Sequence, residues 1–205
     1  MSKRSSSQDF HYLALGDSYT IGTSVDAEAS YPMLLIRRLR DQLARDVDVE
    51  IIAKRGWTTH DLIEHLPFGN IDYHLITLLI GVNDLYDGIA FDTFQAGLHT
   101  LLDRALSYAQ GHTDLIRVLS IPDYTYTPHA VEEHIDVSAQ IDQYNSEVRS
   151  QCEARSIPYL DITDISRRGI EDEDLVAEDG LHLSAKAYEM ITERLLSSIQ
   201  KISTS

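Results

Sequence analysis

Residues 13–22 read LALGDSYTIG, an apolar run that meets Gly16, Asp17 and Ser18 and stops. A strand covered on both faces reads as a nearly continuous apolar segment. Five segments fit that description: HYLALG (11–16), VEIIAK (49–54), HLITLLI (74–80), LIRVLSI (115–121) and PYLDIT (158–163). Between them apolar residues recur at helical spacing. Leu35, Ile36, Leu39 and Leu43 share one face, as do Phe94, Leu98, Leu101, Leu102 and Ala105. Ile141, Tyr144, Val148 and Cys152 form a third stripe, and Tyr188, Ile191 and Leu195 a fourth. A shorter helix is expected to start near Thr58 or Thr59, either of which can cap it. Alternating strands and helices predict a three-layer α/β/α fold around a five-stranded parallel sheet, with right-handed crossovers placing helices on both faces.

The chain has 205 residues, 43% hydrophobic and 24% charged, which fits one globular domain. The expected organisation is a polar tail over 1–9 and a single catalytic domain over 10–205, with no linker, repeat or low-complexity tract. The net charge of −16 repels phosphate backbones and anionic lipid, so nucleic acid is not an expected partner. The longest apolar stretch, LITLLIGV (75–82), falls far short of the ~20 residues of a membrane span, and no stable membrane anchoring is expected. One cysteine, Cys152, permits no internal disulfide. The polar start MSKRSSSQDF lacks the apolar core of a signal peptide. Both features lead to the expectation of a cytoplasmic protein.

In an open parallel sheet, ligands collect at the carboxyl ends of the strands. Gly16, Asp17 and Ser18 follow the first strand, and Arg55, Gly56 and Trp57 the second. Gly81, Val82, Asn83 and Asp84 follow the third. After the fifth, beyond the acidic stretch EDEDLVAED (171–179), expected to be a solvated loop, come Asp179, Gly180, Leu181 and His182. These residues are the parts of an acyl-transfer site. A serine hydroxyl is a weak nucleophile until a base takes its proton, and a histidine ordinarily titrates close to working pH. An acid must orient the imidazolium that forms. Fixed donors aimed at the oxyanion are each worth ~10²–10³ in rate. The Ser18 and Gly56 backbone N–H groups and the Asn83 amide can supply them. Taken singly, each block has a plain structural reading: Ser18 as a helix cap, Gly56 as a turn glycine, Asn83-Asp84 as a cap, Asp179-Gly180 as a turn. Four such accidents at successive strand ends are a poorer account than one site.

With these blocks in place the chain resembles the SGNH (GDSL-type) hydrolases. GDSYT (16–20) is similar to their first block, Gly56 in AKRGWTT to the second, GVND (81–84) to the third and DGLH (179–182) to the last. The resemblance spans residues 16 to 182. It implies a flavodoxin-like fold and ester or thioester hydrolysis without a cofactor. It assigns Ser18 as nucleophile, His182 as base, Asp179 as its partner, and Ser18, Gly56 and Asn83 to the oxyanion hole. Tyr19 stands where the family's name has leucine, which bears on substrate shape. Asp17 is expected to hold the turn rather than react.

The expected partner is a small-molecule ester. Tyr19, Trp57, Tyr86, Tyr124 and Tyr126 are candidates for an aromatic pocket rim, against the plainer reading of loop packing. His60 and His65 are five apart, as are His129 and His134, where a helical metal pair prefers i, i+4, so no metal is expected. Acyl transfer to a sugar or alcohol shares the first half-reaction with hydrolysis and stays open beside it. So does a binding module that kept the pocket without the chemistry, although Ser18, Asp179 and His182 are all present. Oligomeric state is not written in the sequence.

Overall fold

The computed structural model describes residues 10–44, 46–69 and 72–199. The tail expected over 1–9 lies outside these residues. Five strands, β1 (Phe10–Gly16), β2 (Val47–Ala53), β3 (Leu75–Leu79), β4 (Ile116–Leu119) and β5 (Tyr159–Leu160), form a sheet in the order β2-β1-β3-β4-β5. Every neighbouring pair is parallel. Parallel neighbours require crossovers. The helices are α1 (Ser18–Ile21), α2 (Tyr31–Leu43), α3 (Thr59–Glu64), α4 (Val82–Tyr86), α5 (Phe91–Tyr108), α6 (Pro128–Glu132), α7 (Ser138–Ala154), α8 (Thr163–Ser166) and α9 (Ala185–Ile199).

The chain steps from β1 to one side, then crosses back to β3 and continues outward. Right-handed crossovers therefore put α2 on one face and α3, α5 and α7 on the other. α9 joins α2, while α3 and α7 pack on α5. The change of direction makes the β1–β3 gap a topological switch point, the expected place for a ligand crevice. The helical stripes of the sequence are the buried faces: Leu35, Leu39, Phe94, Leu98, Ile141, Val148, Tyr188 and Ile191 all lie in one hydrophobic cluster with β1 and β3. Arg117 of β4 is buried too, and its guanidinium donates to Oγ and the carbonyl of Ser198, clamping the carboxyl-terminal turn of α9.

Two strands stop earlier than their apolar runs. β4 ends at Leu119 because the next inward peptide, at Ile121, is satisfied by a side chain. Asn145 of α7 accepts from Ile121 N at 2.7 Å and donates to Ile121 O at 2.9 Å. β5 is only two residues long, because the Asp161 carboxylate accepts from Thr163 N at 3.0 Å and turns the chain into α8. The stretch 171–179 is not simply solvated. Leu175 is fully buried, and Val176 forms an antiparallel bridge with Leu183. The charges stay outside, where Lys186 pairs with Asp172 at 2.9 Å.

At the switch point Gly16 is paired with Leu79 of β3 and Ala53 of β2. A Cβ at Gly16 would collide with the Leu79 carbonyl and the Thr20 hydroxyl. Neither is the far end of a flexible side chain, so relief requires backbone movement. The expected outcome for Gly16→Ala is a loss of ~3 kcal/mol or more of unfolding free energy, at the upper end of overpacking costs, measured by urea denaturation. A loss below ~1 kcal/mol would show that β1 and β3 can separate without penalty.

Candidate active site

Each block is placed by a short-range device that the sequence encodes. Asp17 caps α1: its Oδ1 accepts from Tyr19 N at 2.9 Å, and its carbonyl accepts from Thr20 and Ile21. Ser18 thus occupies the first position of a helix, where a backbone N–H has no intrahelical partner. The second block turns at Lys54–Trp57, closed by Trp57 N to Lys54 O at 3.2 Å. Gly56 is third in that turn with φ +82°, the sign that a type II turn needs and glycine supplies without strain. Thr58 then caps α3 through a reciprocal pair with Asp61.

The third block grips the second. Asn83 Nδ2 donates to the Trp57 carbonyl at 2.8 Å, a bond that uses one of its two hydrogens. The next residue, buried Asp84, accepts from Thr59 Oγ1 at 2.6 Å and Thr59 N at 2.9 Å. Gly56 and Asn83 are therefore held in register by three bonds over adjacent residues.

The last block is an Asx-type turn. Asp179 Oδ1 accepts from Leu181 N at 3.0 Å and His182 N at 2.9 Å. Its Oδ2 lies 2.6 Å from His182 Nδ1, and His182 Nε2 lies 3.1 Å from Ser18 Oγ. Ser18 and His182 are nearly shielded from solvent, at 4% and 5% exposure. With Asp179 accepting at Nδ1–H, the neutral tautomer leaves Nε2 bare toward Ser18 Oγ. Partial burial acts to raise the Asp179 carboxyl, but donation from the Ser24 hydroxyl and from His182 outweighs it and holds the group well below the usual carboxylate range. Ser184 Oγ accepts from Ala187 N at 3.3 Å and starts α9 directly behind the turn.

A cavity of about 240 Å³ opens over Ser18. Gly56, Asn83, Leu181 and His182 line it, and so do Tyr19, Tyr86 and Tyr124 of the expected aromatic rim. Trp57 and Tyr126 do not. Trp57 stacks on His65 at 4.4 Å between ring centroids and contributes its carbonyl to Asn83, while the Tyr126 carbonyl faces Gly169. The wall also contains Arg55, Asp87 and His129, none of which the sequence reading assigned to the pocket. Arg55 adjoins Gly56 in its block and was within reach of that reading. His129 enters because α6 docks on the Asp179 turn, His129 N donating to Gly180 O at 2.9 Å, a contact no sequence pattern announces. Ser24, which donates to Asp179 Oδ2 at 2.7 Å, was missed for the same reason.

Beneath Ser18 the Asp17 side chain is fully buried, and its Oδ2 has no partner among the described residues. Burial, opposed by the Tyr19 N–H and reinforced by Asp84, pushes its carboxyl up to about 7. An unfolded carboxyl releases its proton near pH ~4. Between these values the folded chain binds more protons than the unfolded one, so this contribution to stability is full below pH ~4 and is lost as pH rises to about 7. Asp84, also raised by burial, acts with the same sign. Asp17→Asn keeps an acceptor for the cap and removes the ionisation. Its unfolding free energy should fall less steeply than wild type from pH 4 to pH 8, read from denaturant midpoints; equal slopes would show that Asp17 is ionised throughout.

A family model described as the GDSL-like Lipase/Acylhydrolase family matches residues 14–190. No curated protein matches. Among solved structures, the psychrotrophic esterase EstA from Pseudoalteromonas sp. is 19% identical, with TM-score 0.66, over 95% of this chain and 99% of that one. The lipase/acylhydrolase from Enterococcus faecalis is 19% identical, with TM-score 0.70, over 94% and 96%. Axe2, an acetylxylan esterase from Geobacillus stearothermophilus, is 18% identical, with TM-score 0.70, over 93% and 94%. At these identities the likeness is one of fold.

Proposed function

We propose, from the premise that the chain belongs to the GDSL-like lipase/acylhydrolase family and is a carboxylic-ester hydrolase, that it is a serine esterase acting through an acyl-enzyme on Ser18. The observation that carries this reading is the continuous array Ser18 Oγ–His182 Nε2, 3.1 Å, and His182 Nδ1–Asp179 Oδ2, 2.6 Å, at the floor of the cavity. As Ser18 Oγ attacks the ester carbonyl, its proton passes to His182 Nε2. Asp179 stabilises the imidazolium. The oxyanion receives the Ser18 and Gly56 N–H groups and the second Asn83 hydrogen. Collapse expels the alcohol, which takes the proton from His182. Water then attacks the acyl-enzyme with His182 again as base, and the acid and free Ser18 are restored.

The cavity favours small acyl groups. Its volume of about 240 Å³ lies below the roughly 300–1,000 Å³ of pockets for drug-sized ligands. Arg55, Asp87 and His129 give its wall a polar side that suits a hydrophilic alcohol better than a second hydrocarbon chain.

Hydrolysis of p-nitrophenyl esters from acetyl to dodecanoyl tests both parts. Ser18→Ala should lose at least ~10³-fold in kcat/KM while keeping its fold by circular dichroism; wild-type rates in this variant would remove Ser18 as nucleophile. Rates should be highest for acetyl to butanoyl and about tenfold or more lower beyond octanoyl, and a rise with chain length would overturn the size argument. Asn83→Ala should cost ~10²-fold in kcat, as for loss of one oxyanion donor, with KM little changed.

A further inference from the structure

Asp179 receives four hydrogen bonds, and three of them come from its own turn. Leu181 N and His182 N occupy Oδ1, and His182 Nδ1 shares Oδ2 with Ser24 Oγ. Ser24 is thus the one donor among the described residues that reaches this carboxylate from another part of the chain. It lies 155 residues away in sequence, in the loop that follows α1.

That loop is tied to the nucleophile. Thr23 N donates to Ser18 O at 3.0 Å, and Val25 N to Gly22 O at 3.2 Å, so the chain wraps back under α1 before reaching Ser24. Ser24 itself holds φ +67°. A left-handed conformation is unfavourable for a residue with a Cβ, and such outliers persist only where surrounding structure imposes them. Here the conformation turns the Ser24 hydroxyl onto Asp179, although Ser24 is a solvent-exposed residue with no packing reason to be held.

The geometry points to Ser24 as a positioning residue that latches the Asp179–His182 turn to the segment carrying Ser18. The inference rests on the esterase reading above. The two segments meet through two hydrogen bonds, Ser18–His182 and Ser24–Asp179, and through the Tyr19 ring, whose centroid lies 5.5 Å from that of His182. Without Ser24 both remaining contacts are to the histidine ring, and the turn can pivot about it. The Ser24 bond fixes the carboxylate plane, and through Nδ1 the imidazole, for attack. Water can replace the hydroxyl as a donor to the half-exposed carboxylate, but water cannot replace the covalent tether to Ser18. Ser24 touches no reacting atom, so its effect belongs to kcat and passes through Asp179.

The test is a double-mutant cycle with Ser24→Gly, Ser24→Ala and Asp179→Asn, assayed on an acetyl ester. Ser24→Gly removes the hydroxyl while easing the backbone; Ser24→Ala removes the hydroxyl and keeps the Cβ. Both should lower kcat by about three- to tenfold, the worth of one modest hydrogen bond, with KM within about twofold of wild type. In the Asp179→Asn background the same changes should alter kcat by less than about twofold, because the group through which Ser24 acts no longer holds the imidazole. Wild-type kcat in both single variants overturns the latch. A loss in Ser24→Ala but not in Ser24→Gly assigns the effect to backbone strain and also overturns it, as does an equal loss in both backgrounds. Ser18→Ala in the same assay separates the readings: activity that survives it sinks the esterase mechanism itself, whereas an inactive Ser18→Ala beside unaffected Ser24 variants sinks only the latch.

Discussion

The candidate site depends on how closely β1 and β3 end together. Gly16 and Leu79 are register partners, and the missing Cβ lets the Leu79 carbonyl and the Thr20 side chain lie directly against the strand end. Both strands then break into helix almost at once, α1 at Ser18 and α4 at Val82. The first turns of the two helices consequently flank the same crevice, and each presents a polar residue there, Ser18 from one and Asn83 from the other. Loosening that junction would move the hydroxyl and the amide apart together, because both are counted from the same pair of strand termini.

The acids around this junction divide by environment. Asp179 sits at the rim, receives four donors and is held ionised. Asp17 lies underneath with one oxygen bonded and the other without a partner among the described residues, and burial pushes its carboxyl up to about 7. Hydrogen bonding and desolvation thereby shift two carboxyls close to the same serine in opposite directions, Asp179 down and Asp17 up.

The sequence made the central strands, the helical stripes and the four blocks legible because each depends on local pattern. β1 and β3 are covered on both faces and read as unbroken apolar runs. Thr58 and Ser184 cap their helices with side chains, as their types suggest. The misreadings have a common physical origin in side chains from distant elements. Asn145 takes the peptide that β4 would have extended through, and Asp161 folds β5 into α8 after two residues. Leu175 lies in a short apolar patch of an acidic run, and its burial beside α9 is not announced by local pattern. The aromatic rim was legible for Tyr19, Tyr86 and Tyr124 but not for Trp57, whose ring turns to His65 while its carbonyl serves Asn83. Ser24 and His129 carry no motif, because a surface serine or histidine acquires meaning only from what the fold brings opposite it.

The contact between Ser18 and His182 spans 164 residues, and the turn bearing His182 is seated by α9, the last helix described. During synthesis Ser18, Gly56, Asn83 and the whole sheet leave the ribosome before His182 does. Chain entropy makes so distant a contact slow to form relative to the helices and neighbouring strands. Assembly of the proposed site therefore requires the carboxyl-terminal segment to dock, and acquisition of turnover would report that docking.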